Sequence, residues 1–359
     1  MAQLLVLLAL GQGVSDLKSN EHLVFLPTLA HYDPDAALWI CDVHGWVYEP
    51  EAGSITRKLA LAALCRALDL EPKHASSVIF RQRAGMFLVD NQRGKEVVIE
   101  LVGRRIQLPK SEVNGHFRTQ ISVPAEDVAP LTGGTPPTRD ARLTFTAVLD
   151  RDDERVFGGT IWLLAPIGVS VVSDIDDTIK FTQVGNRDAM LSNTFLQPFK
   201  AVPGMVDRYR VSSREGATFH YVSASPWQLY PALTSFLRQD GFPGGTFHLK
   251  SFRALDKSVF DLFCDPEKYK LEILQPLLAR FPNRRFVLVG DSGELDPEIY
   301  GRLARQFPNQ VTQILIRDVS QKPLLDQPRF ERAFAELPRN HWQVFRYPSE
   351  MVDPSKLPR

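Results

Sequence analysis

The sequence predicts a mixed α/β protein in two parts. A mainly-β, sandwich-like domain spans residues 21–165, and an α/β domain on a Rossmann-like parallel sheet spans residues 166–345. Three observations carry this. Before about residue 165, short β-branched and aromatic runs follow one another with turn residues between them. After Pro166-Ile167-Gly168, strand-like runs alternate with helical stretches, the rhythm of βαβ units. Two apolar runs in the second part end in carboxylates, at Asp174 and Asp291. Carboxylates inside a buried strand cost a large desolvation energy, so these mark strand tips, the edge where open α/β sheets bind ligands.

In chain order, residues 1–20 read as a candidate export signal. Leu4 to Leu10 is too short to span a bilayer but fits the apolar core of a secretory signal, with Gly11 and Gly13 as small residues near a cleavage point. No positive charge precedes the run, and a frayed or amphipathic arm is the alternative. The first reading implies a periplasmic or secreted protein, the second a cytoplasmic or peripheral membrane one. Strand-like runs then occupy residues 23–26, 38–41, 43–48, 77–80, 97–102, 143–149 and 160–164. One helix interrupts them: Leu61, Leu64, Cys65 and Leu68 follow the i, i+3, i+4, i+7 rule, with Arg57, Lys58 and Arg66 around the rest. Beyond residue 166, strands are expected at 169–172, 218–222, 286–289 and 311–316. Helices are expected at 227–238, 269–280 and 297–306.

Composition narrows the function classes. Hydrophobic residues make up 44% and charged residues 23%, which are globular values, and 42 basic residues balance 42 acidic ones. That balance argues against nucleic acid as a partner and leaves only local membrane contact. No run is long enough for a transmembrane span. Cys41, Cys65 and Cys264 include no C-x-x-C pair, so a zinc or redox site is not expected. Cys65 belongs to the apolar face of its helix, and spacing does not indicate a Cys41–Cys65 disulfide.

The chemistry concentrates in Asp174-Ile175-Asp176-Asp177-Thr178, directly after the strand Val169 to Val172. Carboxylates this close repel, and an oxygen-loving cation such as Mg²⁺ is the natural neutraliser. An EF-hand loop would want Gly in place of Ile179 and Glu in place of Gly185, so that reading fails. A solvated acidic turn is the ordinary alternative, and three further segments weigh against it. Ser223 ends a second strand at a helix start, where a hydroxyl and helix N–H groups can meet phosphate, although a simple cap would use the same residue. Lys270 opens a helix and can balance acidic and phosphoryl charge; Lys250 is a second candidate. Gly290-Asp291-Ser292-Gly293-Glu294-Leu295-Asp296 caps another apolar strand with carboxylates, making Asp174 and Asp291 a natural pair of metal ligands.

The order D-x-D-x-T, strand-end Ser, Lys, then G-D-x-x-x-x-D resembles the haloacid dehalogenase phosphatase superfamily. Ser173 to Lys180, Val222 to Tyr230 and Gly290 to Tyr300 more closely resemble the actin-patch-type phosphatidate phosphatases, and Pro266 to Lys270 resembles the lysine segment of lipins. The resemblance covers residues 166–320, and extends weakly to His44-Gly45-Trp46-Val47-Tyr48-Glu49-Pro50. It implies a haloacid dehalogenase-type fold and an Mg²⁺-dependent phosphatase that turns phosphatidate into diacylglycerol and phosphate. Asp174 would be the nucleophile, forming an aspartyl-phosphate, and Asp176 the general acid/base oriented by Thr178. Thr178, Ser223 and Lys270 would form the phosphate-binding group. Asp174, Asp291, the backbone carbonyl of Asp176 and, in the outer shell, Asp296 would serve the metal. Asp177 points the other way and reads as structural.

The short stretch between Asp176 and the Ser223 strand leaves room for a flap and a helix but no large cap. An open site of that kind suits a phospholipid at a membrane surface, and Phe181, Phe195, Phe199 and Trp227 are candidates for its apolar rim, with core packing the alternative for at least half. Competing readings are a phosphatase for a lysolipid, sugar or nucleotide phosphate, and a non-catalytic lipid- or phosphate-binding module. The second carboxylate, Asp176, argues against the idle module.

Overall fold

The computed structural model describes residues 13–50, 55–250, 266–320 and 323–352. The apolar run read as a candidate export signal, and Cys264, lie outside them. The chain forms two compact units: residues up to 54 with 88–166, and residues 55–87 with 167 onward.

The first unit is mainly β: β1 (His22–Leu26), β2 (Thr28–Asp33), β3 (Leu38–Glu49), then, after the insert 55–87, β4 (Asp90–Asn91), β5 (Val98–Leu101), β6 (Arg104–Gln107), β7 (His116–Pro124), β8 (Ala141–Ala147) and β9 (Gly158–Leu164). Among the described residues, hydrogen bonds join these strands in one continuous sheet. Pro27 breaks the chain between β1 and β2, which lie end to end along one edge of the long β3, while β7 lines its other edge. Trp39, Cys41 and Val43 alternate into the core with Phe117, Ile121, Ile161 and Leu163. Gly45 opposes Phe117, and a Cβ at Gly45 would stand 2.1 Å from that ring. Beside it His44 and His116 are 3.0 Å apart, and Trp46 stacks on His116. The His-Gly-Trp segment is therefore a packing device of this sheet. Ser15, within the 1–20 segment read as a candidate export signal, also belongs here, its hydroxyl bonded to Val98 and its N–H to Val148.

The second unit contains α1 (Ile55–Ala67) and α2 (Val78–Gly85) from the insert; a short helix, α3 (Ala125–Thr132), precedes β8 in the first unit. It continues with β10 (Val169–Asp174), α4 (Arg187–Phe195), α5 (Met205–Arg214), β11 (Thr218–Pro226), α6 (Tyr230–Asp240), β12 (Gly245–Lys250), α7 (Pro266–Arg280), β13 (Arg285–Asp291), α8 (Asp296–Gln306), β14 (Val311–Arg317), α9 (Pro323–Ala333) and β15 (Trp342–Phe345). The sheet order is β12-β11-β10-β13-β14-β15, and each pair is parallel. Chain order starts in the middle at β10, grows outward through β11 and β12, then reverses to β13 on the other side. That reversal opens a crevice beyond the C-terminal ends of β10 and β13. Val171, Val172, Val287 and Leu288 are buried, as strands covered on both faces require.

Two expectations fail in the insert. Residues 77–80, read as a strand, begin α2: Ser77 is extended and its hydroxyl accepts from the Phe80 N–H, so a cap turns a short apolar run into a helix. The boundary that put 21–165 in one domain is also corrected, because 55–87 joins the α/β unit. Arg83 makes the connection. Its buried Nη1 donates to the carbonyls of Thr194 (2.6 Å) and Gln197 (2.8 Å) at the end of α4, and its guanidinium lies 3.5 Å over the Phe199 ring. A cation suits a helix C-terminus, where carbonyls lack partners. Burial lowers its pKa to about 10, so it stays charged at neutral pH. Phe195 is core, against Phe80 and Phe87.

Replacing Arg83 by Met should destabilise the protein by about 2 kcal/mol, because buried carbonyls lose a charged donor. A denaturant midpoint unchanged from wild type would show that α4 holds itself.

Candidate active site

Parallel strands β10 and β13 end side by side, and their sequences place acids at both tips. Asp174 closes β10 and is 1% exposed. Its Oδ1 lies 2.9 Å from Lys270 Nζ, while its Oδ2 is buried with no hydrogen-bond partner. Asp291 closes β13. One of its oxygens accepts the Gly293 N–H at 2.6 Å, and Oδ2 is likewise buried without a partner. Asp296 lies in the first turn of α8, favourable for an anion, and its Oδ2 accepts the Asp291 N–H at 3.2 Å. Gly290 makes room for it: a Cβ there would fall 2.3 Å from Asp296 Oδ2. Asp174, Asp291 and Asp296 each offer an oxygen within 4.8 Å of the others.

Lys270, fully buried on α7, also reaches Asp296 Oδ1 at 2.5 Å and Glu294 Oε2 at 3.0 Å. Burial alone would strip its proton, but Asp174, Asp296 and Glu294 outweigh burial and raise its pKa well above the usual lysine value. Burial and neighbouring carboxylates raise the pKa of Asp174 and Asp291 well above the usual carboxylate range, against the pull of Lys270. The cluster holds more negative charge than Lys270 balances. Two bare oxygens and an excess of anionic groups fit a divalent, oxygen-preferring cation.

Asp176 occupies a different environment. Its carboxylate pairs with Lys180 at 2.7 Å and accepts from Thr182 Oγ1 (2.8 Å), Ser223 Oγ (2.9 Å) and Ser225 Oγ (3.0 Å). Burial raises its pKa, yet these donors bring it to about 2. Asp177 closes the turn after β10. It adopts φ 56°, and its carboxylate accepts the N–H groups of Thr182, Gln183 and Val184.

Several expected roles shift in this geometry. Thr178 is buried with its hydroxyl unpartnered, and Thr182, not Thr178, orients Asp176. The Ser223 hydroxyl donates a hydrogen bond to Asp176 and accepts the Ser225 N–H. The Asp176 side chain is not among the clustered metal-type oxygens. Lys250 ends β12 opposite Pro226, and Lys270 is the lysine among the acids. Lys180, Thr182, Ser225 and Glu294 carry contacts that motif reading alone did not assign; the i, i+4 spacing of Asp176 and Lys180 was the available signal.

A cleft of about 470 Å³ is lined by Asp176, Ser223, Ser225 and Glu294 together with Val184, Met190, Leu295 and Arg329. The apolar border is therefore Val184, Met190 and Leu295. Of the expected rim, Phe195 and Trp227 are core, Phe199 is half-buried beneath Arg83, and Phe181 is 40% exposed under the Arg317 guanidinium. Arg329 ties the loop after β13 through the carbonyls of Ser292 and Glu294 while pairing with Glu298.

Replacing Lys270 by Met should cost about 3 kcal/mol at neutral pH, since it leaves buried carboxylates without their counter-charge. Chemical denaturation of the variant measures this, and a loss under 1 kcal/mol would show that the acids do not depend on it.

Residues 169–318 match the family model described as the catalytic domain of phosphatidate phosphatase APP1. The chain is 33% identical over 193 residues to Phosphatidate phosphatase APP1 of Saccharomyces cerevisiae, covering 53% of this chain and 32% of that protein. It is 35% identical over 156 residues to the uncharacterized protein C29B5.04c of Schizosaccharomyces pombe, covering 42% of this chain and 25% of that one. The chain thus spans a third or less of the length of these relatives. Among solved structures, a sialyltransferase from Photobacterium damsela aligns with a TM-score of 0.23 at 8% identity, over 61% of this chain and 36% of that one, too low to carry an argument.

Proposed function

We propose that this chain, which through residues 169–318 belongs to the APP1-type phosphatidate phosphatase family, is a haloacid dehalogenase-type, Mg²⁺-dependent phosphatase that hydrolyses phosphatidate to diacylglycerol and phosphate. The observation that carries the reading is Asp174: one oxygen is fixed by Lys270, and the other is bare at the strand tip beside Asp291 and Asp296. Asp174, Asp291, Asp296 and the Asp176 backbone carbonyl would hold the metal, which supplies charge neutralisation between a carboxylate nucleophile and an anionic phosphate.

The remaining steps belong to this chain's own residues. The free oxygen of Asp174 attacks phosphorus in line and the ester bond breaks, giving an aspartyl-phosphate. Asp176 gives a proton to the departing alkoxide and later takes one from the water that cleaves the acyl phosphate, regenerating Asp174. In the free site Asp176 is ionised, so the proton it delivers must come from the monoanionic substrate phosphate or from water as substrate enters. Ser223 can support this by turning its hydroxyl from Asp176 to a phosphoryl oxygen, removing one donor that holds Asp176 as a carboxylate. Lys270 stabilises phosphoryl charge and keeps Asp174 aligned.

A lipid phosphate suits the cleft because it brings its own apolar cover to a site bordered by Val184, Met190 and Leu295. Among the described residues, no helix is long and apolar enough to cross a membrane, so such a substrate would be met at the membrane surface.

Asp174→Asn should abolish phosphate release while the thermal melt stays near wild type. Chelation with EDTA should silence the enzyme and Mg²⁺ restore it, and Asp176→Asn should lose about 10²–10⁴-fold in kcat. Full turnover by the Asp174 variant, or after exhaustive chelation, would remove this mechanism.

On a substrate panel, phosphatidate in mixed micelles should exceed glucose 6-phosphate and nucleoside monophosphates in kcat/KM by about tenfold, on the order of 1.4 kcal/mol of transition-state binding. Equal or better efficiency on the water-soluble esters would replace the lipid assignment with a general phosphomonoesterase.

A further inference from the structure

Residues 55–87 contain six lysines and arginines against two carboxylates, in a chain whose total charges balance. Their first helix shows solvent a mixed stripe: Ile55, Lys58, Leu59, Ala63 and Arg66 recur at helical spacing and all are exposed, Ile55 to 77% and Leu59 to 67%. Leu61 and Cys65 of the same helix point into the unit's core. Val78, 60% exposed, and the exposed Arg81 continue the character on α2. Aliphatic side chains this exposed gain nothing from folding, and their neighbours select the partner. The cores of protein interfaces are depleted in charge, whereas aliphatic residues interleaved with lysine and arginine fit the boundary between anionic headgroups and acyl chains, where basic stems lie along apolar surface. The stripe belongs to the same insert as α2, which grips the end of α4 through Arg83, and Met190 of α4 lines the cleft.

We propose that the exposed face of α1 is a docking surface for an anionic lipid bilayer, which holds the α/β unit where a lipid phosphate resides. This rests on the lipid reading of the site. The attraction is cationic and apolar together, so either half can be removed separately.

The test is sedimentation of the full chain with vesicles of phosphatidylcholine alone or with phosphatidylserine, an anionic lipid that carries no phosphomonoester. Wild type should bind the phosphatidylserine vesicles, less at high salt, and bind phosphatidylcholine vesicles weakly. Each basic side chain near such a surface contributes roughly fivefold to partitioning. Lys58→Ser/Arg66→Ser should therefore lose about 25-fold, and Ile55→Asp/Leu59→Asp at least as much, with unchanged thermal melts and unchanged hydrolysis of p-nitrophenyl phosphate. Wild type left in the supernatant, or variants that pellet like wild type, would overturn the surface; capture of the stripe by a protein with no vesicle binding would do the same. Vesicle binding without phosphatidate hydrolysis would uphold the surface and remove the proposed function, and hydrolysis with unimpaired variant binding would do the reverse.

Discussion

The buried ion cluster around Lys270 governs the architecture of the site. Carboxylates from two neighbouring strand tips and the first turn of α8 converge in a region closed to water, and each would be costly there alone. The ammonium at 2.9 Å from Asp174 and 2.5 Å from Asp296 makes the convergence tolerable without cancelling it. Geometry that keeps both Asp174 and Asp291 with one bare oxygen leaves negative charge in excess, and that excess is what the proposed cation between β10 and β13 would neutralise. The sheet supplies the rigidity: reversal of strand order at β10 and β13 puts both tips on one crevice, and the buried valines and leucines of those strands fix their relative height.

Two carboxylates two residues apart live under opposite rules. Asp174 is driven toward its neutral form by burial and by other acids, while Lys180, Thr182 and Ser223 lower the pKa of Asp176 to about 2 against its burial. Divergent environments for neighbouring acids would let one fold separate the proposed nucleophile, Asp174, from the proposed proton carrier, Asp176. The serines that hold Asp176 also line the cleft, so under the proposed function an anionic ligand would compete with Asp176 for their hydroxyl hydrogen bonds. Binding and proton inventory are thereby linked through Ser223.

The insert between β3 and β4 belongs to the α/β unit although it is encoded within the β-rich half. Its grip on α4 through Arg83 shores up a wall of the cleft from a distant part of the chain. Phe195 and Phe199, read as rim candidates, are drawn into that contact, which leaves the cleft's apolar border to Val184, Met190 and Leu295.

The sequence by itself determined the change from β-rich to βαβ grammar near residue 166, the two acidic strand tips and the lysine between them, because each is written in local hydrophobic periodicity and residue type. β7 passed unread: Phe117, Ile121 and Val123 do alternate, but polar neighbours dilute the signal. The helical start at Ser77 and the allegiance of 55–87 were also undetermined, since a short apolar run fits helix or strand until a cap and a neighbour choose. Tertiary structure alone decided that Thr182 serves Asp176 while Thr178 stays unbonded, that Ser223 is engaged with Asp176, and that Glu294 joins Lys270. These are contacts between residues on different strands, turns and helices, whose partners are set by the turn that Asp177 closes and by the register of β10 with β11 and β13. A linear motif records which donors and acceptors are present; their pairing depends on directions that only the folded backbone imposes.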